Sequence, residues 1–332
     1  MSRIKAVLGL AMRRASGFTL GAAMLLANAA QAQSNYPNRP IRVIVPYAAG
    51  GIVDIVARAV IEQVGRDWKH AVIIETRPGG NSNIGTTAVA RSEPDGYTWL
   101  VTGPAALVNP TLYKDAGWDA LKDLRCVGLA VWGQSVALVH PSMPAGTIRE
   151  FVEIARKKPG ELNFGNPGTG SSIDLSAQKL FQVADIKLTN VSYKGQPQAL
   201  IDLLTNLIHF GIVSLELALP HIKAGNVKPL AVLTDKRVAD LPDVPTIAEA
   251  GFPEAAYVPW YGVYVQAGTP ASIVEKINDG INKAIQNPDV QRQLAIANIP
   301  GKPMPLADLA ALMKTDHEKL TKVIATSSMA LQ

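Results

Sequence analysis

Short runs of Val and Ile alternate along the chain with segments whose apolar residues recur at helical spacing. Ile41 to Val45 is the first such run, and Val53, Val56 and Val60 follow it at intervals of three and four residues. The run predicts a buried strand and the spacing predicts an amphipathic helix. Similar strand-like runs occur at 71–75, 97–101, 162–164, 188–193 and 229–233, mostly with helical segments between them. This alternation predicts an α/β fold with mostly parallel sheets.

The C-terminal third, from Pro270 onward, is predicted to be mainly helical. Ile273, Ile277 and Ile281 place one apolar stripe along a helix. Helix boundaries carry their usual signals, because capping residues and prolines prefer first turns and glycine prefers helix ends. These signals are Thr147 with Glu150, Pro197, Gly225, and the interruption at Pro300, Pro303 and Pro305 before a last helix.

The length of the chain indicates more than one structural unit. Its 332 residues are near the upper size for one hydrophobic core. No internal repeat or low-complexity linker separates two halves, so we expect two lobes joined by strands that cross between them. The expected lobes are 36–135 together with 259–332, and 136–258.

The first 32 residues have the pattern of a secretory signal peptide. Four basic residues and no acidic one precede or begin an apolar run from Phe18 to Ala30, which ends in the small-residue exit Ala30-Gln31-Ala32. We therefore expect cleavage after Ala32 and a periplasmic location. An uncleaved anchor is the alternative, but the apolar run is shorter than the ~20 residues that a membrane span needs.

The charge and the cysteine content exclude two further classes of protein. The chain has 32 Lys and Arg against 27 Asp and Glu, and removing the four basic residues of the leader leaves 28 against 27. A nearly neutral mature chain has no electrostatic footprint for nucleic acid, so no nucleic-acid partner is expected. Cys126 is the only cysteine, so no internal disulfide forms, and its apolar surroundings predict a buried thiol.

Two glycine-rich turns are candidates for binding an anion. Residues 46–51 (PYAAGG) and 165–172 (GNPGTGSS) each follow a predicted strand and precede a predicted helix. Such turns point unpaired N–H groups outward at the positive end of a helix dipole. The alternatives are plain connecting turns, with Ser171 or Ser172 acting only as an N-cap. For a third turn, 77–85, a surface loop is the favoured interpretation.

Sequence motifs for catalysis and for metal or nucleotide binding are missing. We find no nucleophile elbow, no H-E-x-x-H, no P-loop and no dinucleotide fingerprint, and the five histidines have no ligand spacing. No metal or cofactor is therefore expected, and the protein is not expected to be an enzyme. A hydrolase that uses Ser171 or Ser172 is the catalytic alternative, although no general base can be named for it.

Several short strings follow one another through the mature chain. They are 36–42 (YPNRPIR), 45–51 (VPYAAGG), 75–80 (ETRPGG), 83–85 (NIG), 94–98 (PDGYT), 163–165 (NFG), 219–225 (LPHIKAG), 242–246 (PDVPT) and 268–270 (GTP). In their order and spacing they resemble the Bug family of periplasmic solute-binding proteins, the binding components of tripartite tricarboxylate transporters. The resemblance covers essentially the whole mature chain.

The resemblance implies a two-lobed, type II-like periplasmic binding protein in which each lobe is a mixed sheet flanked by helices. It implies a small mono- or dicarboxylate ligand, aromatic acids included, in the cleft between the lobes, and membrane permease subunits as partners of a monomeric receptor. An extracytoplasmic sensor that engages a signalling receptor is the alternative. The implied ligand-binding residues are Tyr47, Ala48, Ala49, Gly50, Gly51, Ile52, Asn166, Gly168, Thr169, Gly170, Ser171 and Ser172.

Three departures from the family pattern concern the ligand. Ile52 and Val53 stand where a small polar residue is frequent, which suggests a less polar ligand body. Asp174 stands where the family often has histidine, and His209 stands where an aspartate is common. The identity of the carboxylate is therefore left open by the sequence.

Overall fold

The computed structural model describes residues 36–47, 49–193 and 195–326. The predicted leader with its cleavage after Ala32, the candidate residue Ala48 and the last six residues of the predicted first lobe lie outside this part. The strands are β1 (Ile41–Val45), β2 (Val72–Thr76), β3 (Thr98–Thr102), β4 (Leu124–Trp132), β5 (Ser135–Val139), β6 (Asn163–Asn166), β7 (Thr189–Ser192), β8 (Phe210–Ser214), β9 (Lys228–Val232) and β10 (Trp260–Gln266).

The helices alternate with most of these strands. Helix α1 is one continuous run made of Ile52–Val56, a π-helical turn Ala57–Ile61, and Glu62–Trp68. The others are α2 (Asn83–Ala90), α3 (Ala105–Leu112), α4 (Ile148–Lys157), α5 (Ser172–Ala184), α6 (Gln196–Leu204), α7 (Leu215–Lys223), α8 (Ala271–Ile285), α9 (Pro288–Ile296) and α10 (Leu306–Thr326), with a 3₁₀ turn at Pro253–Ala255. Among the described helices, none is long and apolar enough to cross a membrane.

The strands form two five-stranded sheets that share one topology. The first sheet has the order β2-β1-β3-β10-β4 and the second has β7-β6-β8-β5-β9. In each sheet the first three strands are parallel, and the fourth runs antiparallel to both of its neighbours. Four of the five strands in each sheet therefore point the same way, as the alternation predicted, and one strand per sheet is antiparallel. Both sheets are mixed.

Each sheet is covered by hydrophobic residues on both faces. In β1, Ile41, Val43 and Val45 pack on one side with α1 and α8, whereas Ile44 packs on the other side with α3 and α10. The second sheet is covered by α4 and α5 on one face and by α6 and α7 on the other. Burial on both faces explains why the strands read as continuous apolar runs and not as alternating ones.

The chain changes sheet twice. It leaves the first sheet at Trp132 and enters the second at Ser135, with only Gly133 and Gln134 between. It returns between Val232 at the end of β9 and Trp260 at the start of β10. The lobe boundaries at 135/136 and 258/259 remain a prediction, which these changes of sheet support.

Several local signals fold as expected. Thr147 caps α4 in a complete capping box with Glu150, and Pro197 lies in the first turn of α6. Gly225 follows α7 with a positive φ of 73°. Ile273, Ile277 and Ile281 are buried along α8, which packs on the first sheet.

Candidate functional site

The two glycine-rich turns lie at corresponding places in the two sheets. The first joins the carboxyl end of β1 to α1, and the second joins the carboxyl end of β6 to α5. Strands β1 and β6 occupy the same position in their sheets. The carboxyl edge of a parallel sheet is where α/β folds usually bind ligands. Both turns are thus placed at a potential binding edge.

The first turn already uses one of its N–H donors internally. The Gly50 N–H donates to Asp54 Oδ2 at 3.0 Å, and Gly50 adopts φ +87°, which glycine tolerates best. Asp54 is buried and is paired with Arg58 at 3.2 Å. Gly51, at the N-cap of α1, makes no side-chain cap bond. The outward donors of this turn are therefore the helix-terminal N–H groups after Gly50.

Ile52 and Val53 contribute backbone, not side chains, to this edge. Both side chains are buried in the core of the first sheet, with exposed fractions of 7% and 3%. Because they are buried, the side chains of Ile52 and Val53 do not offer the ligand the apolar surface that the sequence suggested. An N–H group at Ile52 remains available at the start of α1.

The second turn is fixed by its own side chains. Asn166 is fully buried at the end of β6, and its Oδ1 accepts a hydrogen bond from the Gly168 N–H at 2.9 Å. Ser171 is the N-cap of α5, and its Oγ accepts from the Asp174 N–H at 3.2 Å. The Gly170 N–H donates to Asp174 Oδ2 at 2.9 Å. This last bond repeats the spacing of Gly50 to Asp54 in the first turn.

Asp174 is a buried carboxyl at the start of α5. Its Oδ1 accepts from Gln178 Nε2 at 3.2 Å, and its side chain is fully buried. Burial raises the pKa of Asp174, against the lowering effect of hydrogen bonds from Gly170, Gln178 and Asn166. Asp174 therefore belongs to the scaffold of the second turn, where it holds the loop in shape.

Two side-chain contacts join the second turn to the first sheet's side of the cleft, one through the third turn and one through strand β10. Asn81 Nδ2 donates to the Thr169 carbonyl at 2.6 Å, and the Ser172 hydroxyl lies 3.0 Å from the Tyr261 hydroxyl. The backbone of Asn81 is fixed in turn by Asn109 Nδ2, which donates to its carbonyl at 2.8 Å. The third turn, 77–85, is therefore more than a surface loop. It brings Asn81 against the second turn.

Sequence reasoning missed the tyrosines of this cleft. Tyr261, the second residue of the antiparallel strand β10, lies next to Ser172, and burial raises its pKa well above the usual range. Burial also raises the pKa of Tyr113, and the charges of Asp174 and Tyr47 act on it in the same direction. Burial raises the pKa of Tyr47, while the hydroxyls of Thr102 and Ser82 lower it. A tyrosine hydroxyl thus stands beside the second turn, a feature that no sequence motif predicts.

His209 lies away from this edge. Its Nδ1 accepts from the Asn163 N–H at 3.0 Å, at the beginning of β6. The glycine turn leaves β6 at the other end, after Asn166. His209, which departs from the family pattern, therefore contacts the edge of the second sheet opposite the glycine turn.

The serines proposed for a hydrolase have other partners. Ser171 caps α5, and Ser172 faces a tyrosine hydroxyl. Within the described residues, no three His, Cys, Asp or Glu side chains are grouped so that they could hold a metal ion.

Known proteins resemble this chain in both sequence and fold. The family named "Tripartite tricarboxylate transporter family receptor" matches residues 56–329. A Pseudomonas protein, named the UPF0065 protein in the tcbD-tcbE intergenic region, is 35% identical over 299 residues, which are 89% of this chain and 88% of that protein. The resemblance stated from the sequence is therefore confirmed.

Solved structures confirm the two-lobed periplasmic binding protein fold. The periplasmic binding protein BugD has a TM-score of 0.80 and 28% identity, over 90% of this chain and 100% of that one. An R. palustris protein solved with adipate has a TM-score of 0.80 and 28% identity, over 88% and 99%. MatC from Rhodopseudomonas palustris, with bound malate, has a TM-score of 0.78 and 26% identity, over 87% and 100%. From its sequence and its fold, the chain belongs to the tripartite tricarboxylate transporter receptor family of periplasmic solute-binding proteins.

Proposed function

We propose that this chain is exported to the periplasm, captures a small organic mono- or dicarboxylate, aromatic acids included, and presents it to the permease subunits of a tripartite transporter. One observation carries the proposal. The second glycine turn contacts the first sheet's side of the cleft twice, through the Thr169 carbonyl, 2.6 Å from Asn81 Nδ2 of the third turn, and through the Ser172 hydroxyl, 3.0 Å from the Tyr261 hydroxyl. The relatives with adipate and malate support a carboxylate as the ligand. We favour transport over sensing because the matched family is a transporter receptor.

The proposed mechanism is lobe closure. A carboxylate receives hydrogen bonds from helix-terminal N–H groups of both turns only when the lobes are together, so its binding favours the closed population. The proposed contacts are the backbone groups of 47–52 and 168–172, with Asn166 holding the second turn in place. No bond is made or broken in this process, so the proposed role is non-catalytic.

Calorimetric titration of the mature chain, residues 33–332, tests the ligand class. The panel contains succinate, malate, adipate, benzoate and terephthalate, and the uncharged methyl esters of the same acids serve as controls. We expect saturable binding of at least one acid with one site per chain, and a thermal shift, since a ligand at 100 times its Kd stabilises by about 2.7 kcal/mol. The esters should not bind. An absence of heat and of any thermal shift across the whole panel would contradict the proposal.

Export and assembly are tested separately. N-terminal sequencing of protein recovered from the periplasm should begin at Gln33, and light scattering should give a monomer. A chain that stays membrane-bound with its first residues intact would show an uncleaved anchor instead.

A further inference from the structure

A second group of polar atoms lies at the cleft edge of the second sheet. Ser135 is the first residue of β5 and Ser214 is the last residue of β8, and the two are directly opposite each other in the antiparallel pairing. Opposed residues of neighbouring strands point to the same face. Glu216 follows in the first turn of α7. This group, Ser135, Ser214 and Glu216, is distinct from the two glycine turns.

These side chains are buried without a full set of partners. Ser135 is 2% exposed and Ser214 is 5% exposed. Within the described part of the chain, the hydroxyl oxygens of both serines and Oε2 of Glu216 have almost no contact with solvent and no hydrogen bond of normal geometry, although the Ser214 hydroxyl is close enough to the Glu216 carboxyl to lower its pKa. Buried polar atoms in native proteins are paired in the great majority of cases. Three such atoms on neighbouring residues therefore indicate a place where an outside group completes the bonding.

Glu216 belongs to the cleft and not to the outer surface. Its charge acts on Tyr261, whose hydroxyl meets Ser172 between the lobes. Burial raises the pKa of Glu216, whereas the nearby Ser214 hydroxyl and the N–H of Glu216 itself lower it. A group that removes this desolvation cost by donating hydrogen bonds is the natural occupant.

The chemistry of this end differs from that of the glycine turns. A helix N-terminus normally attracts an anionic ligand, but in α7 the Glu216 carboxyl itself already stands in the first turn. Among the described residues, no basic side chain contributes to the shift in the pKa of Glu216, which comes from burial, the Ser214 hydroxyl and its own N–H group. A second carboxylate placed here would meet an acidic group, whereas an ammonium group would meet three acceptor oxygens.

We propose that Glu216, Ser135 and Ser214 form an acceptor site for the protonated amine of an amino-substituted monocarboxylate whose carboxylate occupies the glycine turns. This inference rests on the proposed function, because it names the substrate class of the same cleft. It narrows that class from mono- and dicarboxylates in general to monocarboxylates that carry a cationic group at their other end.

Calorimetry with length-matched pairs tests the inference on the mature chain. The pairs are succinate and 4-aminobutanoate, adipate and 6-aminohexanoate, and terephthalate and 4-(aminomethyl)benzoate. We expect the amino acid of at least one pair to bind at least tenfold tighter than the matched dicarboxylate. In Glu216→Gln this preference should fall below threefold, and Ser135→Ala should reduce it in the same direction. Glu254→Gln changes an exposed glutamate and should keep the preference.

The possible results separate the two proposals. Tighter binding of the dicarboxylates, or an unchanged preference in Glu216→Gln, overturns the inference and leaves the carboxylate function standing. If none of the six compounds binds while another carboxylate does, the inference also fails alone. If no carboxylate binds at all, the proposed function fails first. The comparison of pairs in the unmodified chain does not depend on any variant folding.

Discussion

At the scale of single residues, the cleft is held by a few hydrogen bonds between distant parts of the chain. The Ser172 and Tyr261 hydroxyls are 3.0 Å apart and both side chains are more than 90% buried. A buried bond of this kind contributes about 0.5–1.5 kcal/mol net, and an orphaned partner costs more. Because the two residues belong to different sheets, we expect this contribution to favour the closed form.

A double-mutant cycle on this contact tests its role. We expect Ser172→Ala and Tyr261→Phe each to weaken carboxylate binding about three- to tenfold, because each removes one hydroxyl from the closed cleft. The double variant should lose little more than either single variant. Calorimetry of the four proteins measures the coupling. Fully additive losses would show that the hydroxyls act independently.

Variants of two helix N-caps, Ser171 and Thr147, distinguish an effect on stability from an effect on binding. Ser171→Ala and Thr147→Ala each remove a hydroxyl that accepts a first-turn N–H at 3.2 Å. Each should lower the free energy of unfolding in urea by about 1 kcal/mol. Only Ser171→Ala should also weaken ligand binding, since Thr147 lies on α4, away from the glycine turns. Equal losses of affinity in both variants would show that Ser171 has no specific role in ligand binding.

Residues such as Asn81 and Tyr261 could not be assigned from the sequence. Asn81 and Thr169 are 88 positions apart in the sequence, and Ser172 and Tyr261 are 89 positions apart. Both contacts exist because two sheets face each other, which no local pattern encodes. Ser171 was different, because a serine before an apolar helical period is a local capping signal.

At the scale of the elements, the second glycine turn depends on the backbone conformation of Gly170 and on its close approach to α3. Gly170 adopts φ +77°, and a methyl group on it would collide with Leu112 Cδ1 of α3. Gly160 adopts φ +79°, yet a methyl group there would meet nothing within 4 Å. The two glycines therefore share a backbone conformation and differ in their surroundings.

Alanine at these two positions tests whether the lobes must approach closely. Both variants should lose about 1–2 kcal/mol of stability, because alanine is strained at positive φ. We expect Gly170→Ala alone to weaken carboxylate binding by more than tenfold, since the added methyl group holds α3 and the second turn apart. Urea unfolding and calorimetry give the two quantities. Retained affinity in Gly170→Ala would contradict close approach as a condition of binding.

The elements themselves were only partly predictable. Strands β1, β2, β3, β6, β7 and β9 lie within one or two residues of the predicted runs. Burial on both faces accounts for the apolar runs of β1, β3 and β9, whereas β2 and β7 are sheet-edge strands and are more exposed. Strand β10 was missed because its segment, WYGVYVQ, combines aromatic residues with a glycine. Strand β8, FGIVS, was also missed, because its glycine and final serine interrupt the apolar run. The antiparallel β5 and β10 are the strands that enter each sheet from the other lobe, and their pairing is a tertiary property.

At the scale of the whole molecule, the two sheets have the same topology, and the chain crosses from one to the other twice. The return crossing into β10 is held by Asp316 of α10, whose Oδ2 accepts from Trp260 Nε1 at 3.0 Å and from the Tyr257 hydroxyl at 3.4 Å. On the other lobe, Lys179 Nζ donates to the Ala256 carbonyl at 3.0 Å. We therefore expect this crossing to act as the pivot in the proposed lobe closure.

Stability should depend on pH through Asp316. Burial raises the pKa of this carboxyl, and the bonds and lysines around it lower it less. The folded state therefore holds the proton more tightly than the unfolded state, so stability falls as pH rises from the unfolded pKa of about 4 through the folded pKa. Asp316→Asn should be more stable than the parent chain at pH 7, with the gain vanishing near pH 4. Urea unfolding across pH 4–8 checks this, and a gain that grows toward acid pH would contradict it.

A crystal structure of the mature chain with its tightest carboxylate tests the central claim most directly. We expect closed lobes, with carboxylate oxygens about 2.7–3.2 Å from backbone nitrogens of both glycine turns, 47–52 and 168–172. A ligand bound elsewhere, or one held by a single turn with the lobes apart, would contradict it.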